Sequence, residues 1–187
     1  MSDNFLIDPV FWMDIYLMGY TIAIIVFSLP ELLNWVNRIP RPAIRIFTLS
    51  TFIVPVIALP FTEGPRMEIP TPIALIMGII LLGMNFIIKI SAQKQIGISP
   101  VLKGKGKLVT TGVYGIVRNP LYLSNGLLAM GMAILFRSLY AFLFSIPYLL
   151  SYLPIIRLEE RDLLEKYGRE YLDYRKKVPW RMIPKLF

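Results

Sequence analysis

The chain contains no cysteine and no histidine. Without cysteine there is no disulfide and no thiolate nucleophile, and the redox compartment leaves no trace in the sequence. Without histidine the commonest general base and the commonest metal ligand are both missing, so a zinc or haem centre is not expected and no metal is assigned. Charge is scarce as well. Asp, Glu, Lys and Arg make up 17% of the 187 residues, whereas 56% are hydrophobic. A soluble domain is nearer ~50% apolar even with glycine counted, and a mean hydropathy of +0.60 points the same way. One domain is expected at this length. Residues 1–10 carry Asp3 and Asp8 and no basic side chain, unlike the n-region of a signal peptide.

What is present is long apolar runs. Windows 15–30, 46–62, 69–88, 119–136 and 138–156 hold no Asp, Glu, Lys or Arg. A spanning helix needs about 20 mostly apolar residues, and each window suffices once flanking side chains snorkel. The expected fold is therefore all-α: a polytopic integral membrane protein with about five transmembrane helices, near 11–33, 44–61, 71–90, 120–136 and 139–156. A cytosolic loop and an amphipathic C-terminal helical tail complete it. Only Arg137-Ser138 separates the last two windows, which predicts a tight antiparallel hairpin. Pro30, Pro55, Pro147 and Pro154 should kink their helices. The whole chain, 1–187, reads as one membrane domain, with three N-terminal helices over 1–90 and the remainder over 91–187.

Of the 20 Lys and Arg residues, all but Arg66 and Arg137 fall on one side of this topology. That side is cytoplasmic by the positive-inside rule, which places the N-terminus outside and the C-terminus in the cytoplasm, in the plasma (inner) membrane if the source is prokaryotic. The net charge of +8 is then mostly topology, with some attraction to anionic lipid, and no nucleic-acid partner is implied. Lys103-Gly104-Lys105-Gly106-Lys107 reads as a flexible loop or a backbone anion nest; it lacks P-loop spacing.

Two polar stretches stand out. In Gly112-Val113-Tyr114-Gly115-Ile116-Val117-Arg118-Asn119-Pro120-Leu121-Tyr122, Asn119 has the chemistry of an N-cap and Pro120 suits the first helical position. A helix N-terminus there would attract an anion, or would simply be well capped. In the tail, Leu164, Tyr167, Tyr171 and Tyr174 recur at helical spacing, and Gly168 should divide that helix. Glu159 and Glu160 follow a membrane helix directly, where a carboxylate is costly unless paired or liganded. They either pair with Arg157 and Arg161 or form part of a ligand site. Because the two stretches end opposite helices of one hairpin, they should be neighbours in space.

The ordered set resembles the isoprenylcysteine carboxyl methyltransferase and phospholipid methyltransferase superfamily of integral membrane enzymes. The pieces are Leu108-Val109, Thr110-Thr111-Gly112-Val113-Tyr114, Arg118-Asn119-Pro120-Leu121-Tyr122, Glu159-Glu160-Arg161-Asp162-Leu163 and Tyr167-Gly168-Arg169-Glu170-Tyr171-Leu172-Asp173-Tyr174. The resemblance runs from about Gly97 to the end. It implies S-adenosylmethionine as cofactor on the cytosolic side, with Lys107, Leu108, Val109, Tyr114, Asn119, Pro120, Leu121, Tyr122 and Glu159 lining its pocket. It also implies methyl transfer to a lipophilic acceptor, either carboxyl O-methylation or lipid amine N-methylation. The family's His before Pro is Asn119 here, and the His of its His-x-Leu-Val stretch is Gly106. Carboxyl methyltransferases carry a substrate arginine four positions before the cofactor glutamate; that position is Ile155, and Arg157 is the nearby substrate-binding candidate. The catalytic residue is not assigned, with Arg118, Tyr122 and Glu160 as candidates; carboxylate acceptors need no base, whereas amines and hydroxyls do. Val178-Pro179-Trp180-Arg181-Met182-Ile183-Pro184 is similar to the C-terminus of NADPH-dependent sterol and steroid reductases, which share this fold, so a membrane reductase is the alternative.

Overall fold

A computed structural model of the chain describes residues 5–36, 38–96 and 108–186. Lys107, and with it the 103–107 loop, lies outside the described residues. Among those described, every regular element is helical, and the chain is an all-α, polytopic integral membrane protein.

The first span is α1 (Pro9–Ser28), begun by Asp8, whose side chain accepts from the Val10 N–H. It breaks before Pro30 and resumes as α2 (Pro30–Val36), since a proline deprives the carbonyl one turn earlier of its donor. The second span is assembled from α3 (Arg41–Thr48), a π-helical turn over Leu49–Ile53, α4 (Val54–Ala58) and a 3-10 turn over Leu59–Phe61. The π turn lies immediately before Pro55 and absorbs the hydrogen bond that proline cannot make. The third span, α5 (Thr71–Ile96), is longer than its apolar window suggested, because Lys89 and Lys94 are carried on the helix.

The hairpin is α6 (Pro120–Leu135) and α7 (Leu139–Leu150), joined by Arg137 at φ +52. At 1.5 Å per residue α6 spans only about 24 Å, short of the ~30 Å hydrocarbon layer. α5 and the span Leu139–Tyr167 are the longer walls on either side of it. α7 runs unbroken through Pro147. The break comes at Ser151, where the Leu150 carbonyl has lost its donor to Pro154, and α8 (Tyr152–Tyr167) continues the span into the tail. Gly168 at φ +53 ends α8, and α9 (Arg169–Lys177) follows, so the expected division there holds.

The main core joins both halves of the chain: Tyr16 of α1 and Phe52 and Val56 of the second span pack with Ala129, Tyr148, Tyr152, Ile156 and Met182. Tyr16 lies edge-on to Phe52 and Phe144 at ring-centroid separations of 5.5 and 5.2 Å. α5 packs along α6. Close approach between the first half of α5 and the end of α6 depends on Gly78, where a Cβ would stand 2.7 Å from that of Leu135. The opposite face of α5, with Ile76, Ile79, Ile80, Phe86 and Ile87 exposed, is the surface a bilayer would cover.

Arg66 and Arg137, the two basic residues set apart by the sequence, meet at one end of the bundle. Arg66 donates to the Pro60 and Phe136 carbonyls, and Arg137 to the Ile69 carbonyl and Thr71 Oγ1. Backbone bonds from Met67 to Arg137 (2.7 Å) and from Leu139 to Pro65 (3.1 Å) bind the two turns together.

Candidate functional site

At the other end of the bundle the two polar stretches meet, as the hairpin requires. α6 begins there and α8 arrives there. Tyr122, in the first turn of α6, donates its hydroxyl to Glu159 Oε1 at 2.7 Å. The Tyr122 ring lies 4.6 Å from that of Tyr152. Tyr114 stands close enough to feel the Glu159 carboxylate. Burial first, then Tyr174, then Glu159 push its phenol up, so it stays protonated. The Tyr114 carbonyl accepts from Tyr174 Oη at 2.7 Å. Burial, partly opposed by Arg118, pushes the Tyr174 phenol up to about 12. Tyr114, Tyr122, Tyr152 and Glu159 thus form a cluster of one carboxylate and three aromatic rings, with Tyr114 and Tyr152 buried and Tyr122 and Glu159 half-buried.

Glu160, one residue on, faces elsewhere. A step of about 100° around α8 turns it into the protein, where it is 6% exposed. Glu160 Oε1 accepts from Arg118 Nε and Nη2, both at 2.8 Å, and Oε2 pairs with Arg181 Nε at 3.2 Å. Arg118 Nη1 also donates to the Val178 and Pro179 carbonyls at 2.7 and 2.8 Å. Of the two readings of the sequence, the pairing of Glu160 with Arg157 and Arg161 is corrected: both arginines are exposed, and the ion pair of Arg161 among the described residues is with Asp162, at 4.0 Å. The fork geometry of guanidinium suits this job, since one planar group serves a carboxylate and two carbonyls at once.

Asn119 also departs from expectation. It occupies the cap position of α6, but its side chain makes no capping bond. Its backbone N–H and its amide Nδ2 both donate to the Arg181 carbonyl, at 2.8 and 3.1 Å. Together with the Arg118 N–H on the Trp180 carbonyl (2.9 Å), these bonds staple the Val178–Arg181 strip to the start of α6. Pro120 is at the first helical position, as expected, and fully buried.

The remaining candidates divide. Leu108 packs on the hydrophobic cluster of Tyr171, Tyr174 and Val178. Val109 and Leu121 are half-buried. Gly112, at φ +58, is a position only glycine fills easily: a Cβ there would overlap the Gln95 amide at the end of α5. Arg181 and Tyr152 were missed as site residues. The Val-Pro-Trp-Arg stretch was a signal for the first; nothing local distinguishes Tyr152 from other aromatic residues in its span. No group of three or more carboxylates able to hold a metal occurs among the described residues.

The phospholipid methyltransferase family model matches residues 73–170, from within the third span to the start of α9. A Delta(14)-sterol reductase from Methylotuvimicrobium alcaliphilum is 40% identical over 86 residues, covering 43% of this chain and 19% of that protein. The chain therefore spans about a fifth of the length of this curated relative.

Proposed function

Because the chain belongs to the phospholipid methyltransferase family, we propose that it is an S-adenosylmethionine-dependent methyltransferase acting at the membrane on a lipophilic acceptor. The observation that carries this reading is the Tyr122–Glu159 pair at the mouth of the hairpin, beside Tyr114. The donor set fits the cofactor. Its ammonium and ribose hydroxyls are donors and would meet the Glu159 carboxylate, and its sulfonium is a cation suited to the tyrosine faces. Asn119, Pro120, Leu121, Leu108 and Val109 would complete the wall, with Lys107 from the adjoining loop. When bound, S-adenosylmethionine supplies the sulfonium methyl group.

The chain's own residues do three things in this reading. Tyr122 holds Glu159 in one orientation, so that the carboxylate is preorganised. Tyr114, Tyr122 and Tyr152 exclude water from one side of the pocket. Arg118, Glu160 and Arg181 position the start of α6 against the tail; of the catalytic candidates, Tyr122 is the one outside this clamp, with its hydroxyl on Glu159. Arg157, exposed on α8, remains the candidate for an acidic acceptor group. The pocket opens to the cytoplasm, with the N-terminus outside, and the three N-terminal helices and the remainder act as one membrane domain.

The sterol reductase relative and the Val178–Pro184 stretch favour a second reading, an NADPH-dependent membrane reductase. That stretch, however, accepts the Arg118 and Asn119 hydrogen bonds, so it has a structural reason to be present whichever cofactor binds. The test is to incubate the detergent-solubilised protein with radiolabelled S-adenosylmethionine and a total lipid extract, alongside calorimetry with S-adenosylmethionine and NADPH. Label in the lipid fraction supports methyl transfer. Tight NADPH binding with no response to S-adenosylmethionine would transfer the argument to the reductase.

A further inference from the structure

Lys89 and Asn85 lie one turn apart on the same face of α5, opposite the exposed Ile87. Lys89 is about 10 Å short of the end of its helix at 1.5 Å per residue, within reach of the interface by snorkelling. It turns inward instead. Its Nζ donates to Asn125 Oδ1 on α6 at 3.3 Å, and none of the ion pairs among the described residues includes it. An ammonium held inside a membrane bundle by a neutral amide is costly unless something compensates it. One turn deeper, Asn85 Oδ1 is buried without a hydrogen-bond partner, which is also rare and costly. Among the described residues, the same interface therefore holds a cation lacking an anion and an acceptor lacking a donor.

Asn125 ties this pair to the site already described. It is three residues beyond Tyr122 on α6, so the two share a face. Its Nδ2 donates to Tyr152 Oη at 3.3 Å, and the Tyr152 ring packs on Tyr122. We propose that Asn85, Lys89 and Asn125 form the recognition site for the anionic group of the acceptor headgroup, a phosphate or a carboxylate. Lys89 takes the anion, and Asn85 accepts from a neighbouring N–H or O–H of the same headgroup. An anion seated there leaves the rest of the headgroup directed along α6 toward Tyr122. The assignment rests on the methyltransferase reading for the identity of the acceptor, but not for the existence of the site.

The test measures binding, apart from turnover, on the full-length protein in neutral detergent. Three probes are compared: a lysophosphatidylethanolamine (phosphate), S-farnesylthioacetic acid (carboxylate) and farnesol (uncharged). The parent should bind one of the two acidic probes more tightly than farnesol, and which one identifies the headgroup chemistry. Lys89→Met should weaken that probe roughly 10- to 100-fold, as expected for a lost charge-assisted hydrogen bond, and Lys89→Arg should restore most of the affinity. S-adenosylmethionine affinity should stay at the parental value in both. Asn85→Leu should weaken the probe while raising the melting temperature, because it removes an unsatisfied buried acceptor; a purely structural role for Asn85 predicts a lower one. The inference is overturned if neither acidic probe binds better than farnesol, if Lys89→Met binds the acidic probe like the parent, or if probe binding, cofactor binding and melting temperature fall together in that variant. A Lys89-dependent acidic probe with no S-adenosylmethionine binding would uphold this site and sink the methyltransferase reading instead.

Discussion

Replacing Glu160 by glutamine should unfasten the C-terminal strip and leave the Tyr122–Glu159 pair chemically intact. The carboxylate it removes is the anionic partner of Arg118 in a pair whose side chains are 5% and 7% exposed. Removing one member of a buried pair leaves the other charge stranded, at a cost of about 3–5 kcal/mol. The Arg181 arm adds little. Its side chain is 35% exposed, and solvent-screened pairs are worth about 0–1 kcal/mol. Glutamine keeps the shape and one acceptor oxygen, which puts the expected loss at the lower end, about 3 kcal/mol. For a chain of this size that is about 6–12 °C in melting temperature. Two measurements check it: melting of the purified protein in detergent, and tryptic cleavage at Lys176, Lys177 and Arg181, which should become faster as the strip at Val178–Arg181 loosens. A Glu160→Gln protein that melts within 2 °C of the parent and protects its tail equally would refute the reasoning. If it melted normally yet lost cofactor affinity, Glu160 would be a ligand group and not a clamp.

The neighbouring substitution should behave oppositely: Glu159→Gln is expected to lower S-adenosylmethionine affinity roughly 10- to 150-fold, the loss of one charge-assisted hydrogen bond, with little change in melting, as titration calorimetry would read. Tyr122→Phe removes the donor that orients Glu159 and should weaken the same binding by a smaller factor, again read by titration calorimetry. Gly112→Ala meets both a left-handed backbone, costing about 1–2 kcal/mol, and the Gln95 amide; it should lower the melting temperature, and Gln95→Ala in the same chain should recover part of the loss. Tyr174 titrates at about 12 when folded and near ~10 when unfolded. Its contribution is therefore fully present below pH 10 and is lost as pH rises toward 12, a decline that Tyr174→Phe should remove from an alkaline unfolding curve.

The apolar windows determined the spans, because burying a backbone in hydrocarbon leaves a chain little choice but helix, and that information is local. The two-residue turn at Arg137-Ser138 likewise determined that Arg118–Tyr122 and Glu159–Glu160 would meet, since a hairpin of two short helices has nowhere else to bring its ends. Pro55 and Gly168 marked breaks legible from covalent geometry alone, whereas α7 continues through Pro147, because a helix can carry a single lost hydrogen bond. What the sequence could not contain is the rotation of α8. Glu159 and Glu160 are adjacent in sequence, yet about 100° apart around the axis. Which of them turns to Tyr122 and which to Arg118 follows from how Tyr152, Ile155 and Ile156 enter the core beside Tyr16 and Met182. The same holds for Asn119, which gives up its cap to bind the Arg181 carbonyl, and for Lys89, which reaches inward to Asn125. Their partners lie 62 and 36 residues away, and only packing brings such groups within a hydrogen bond of each other.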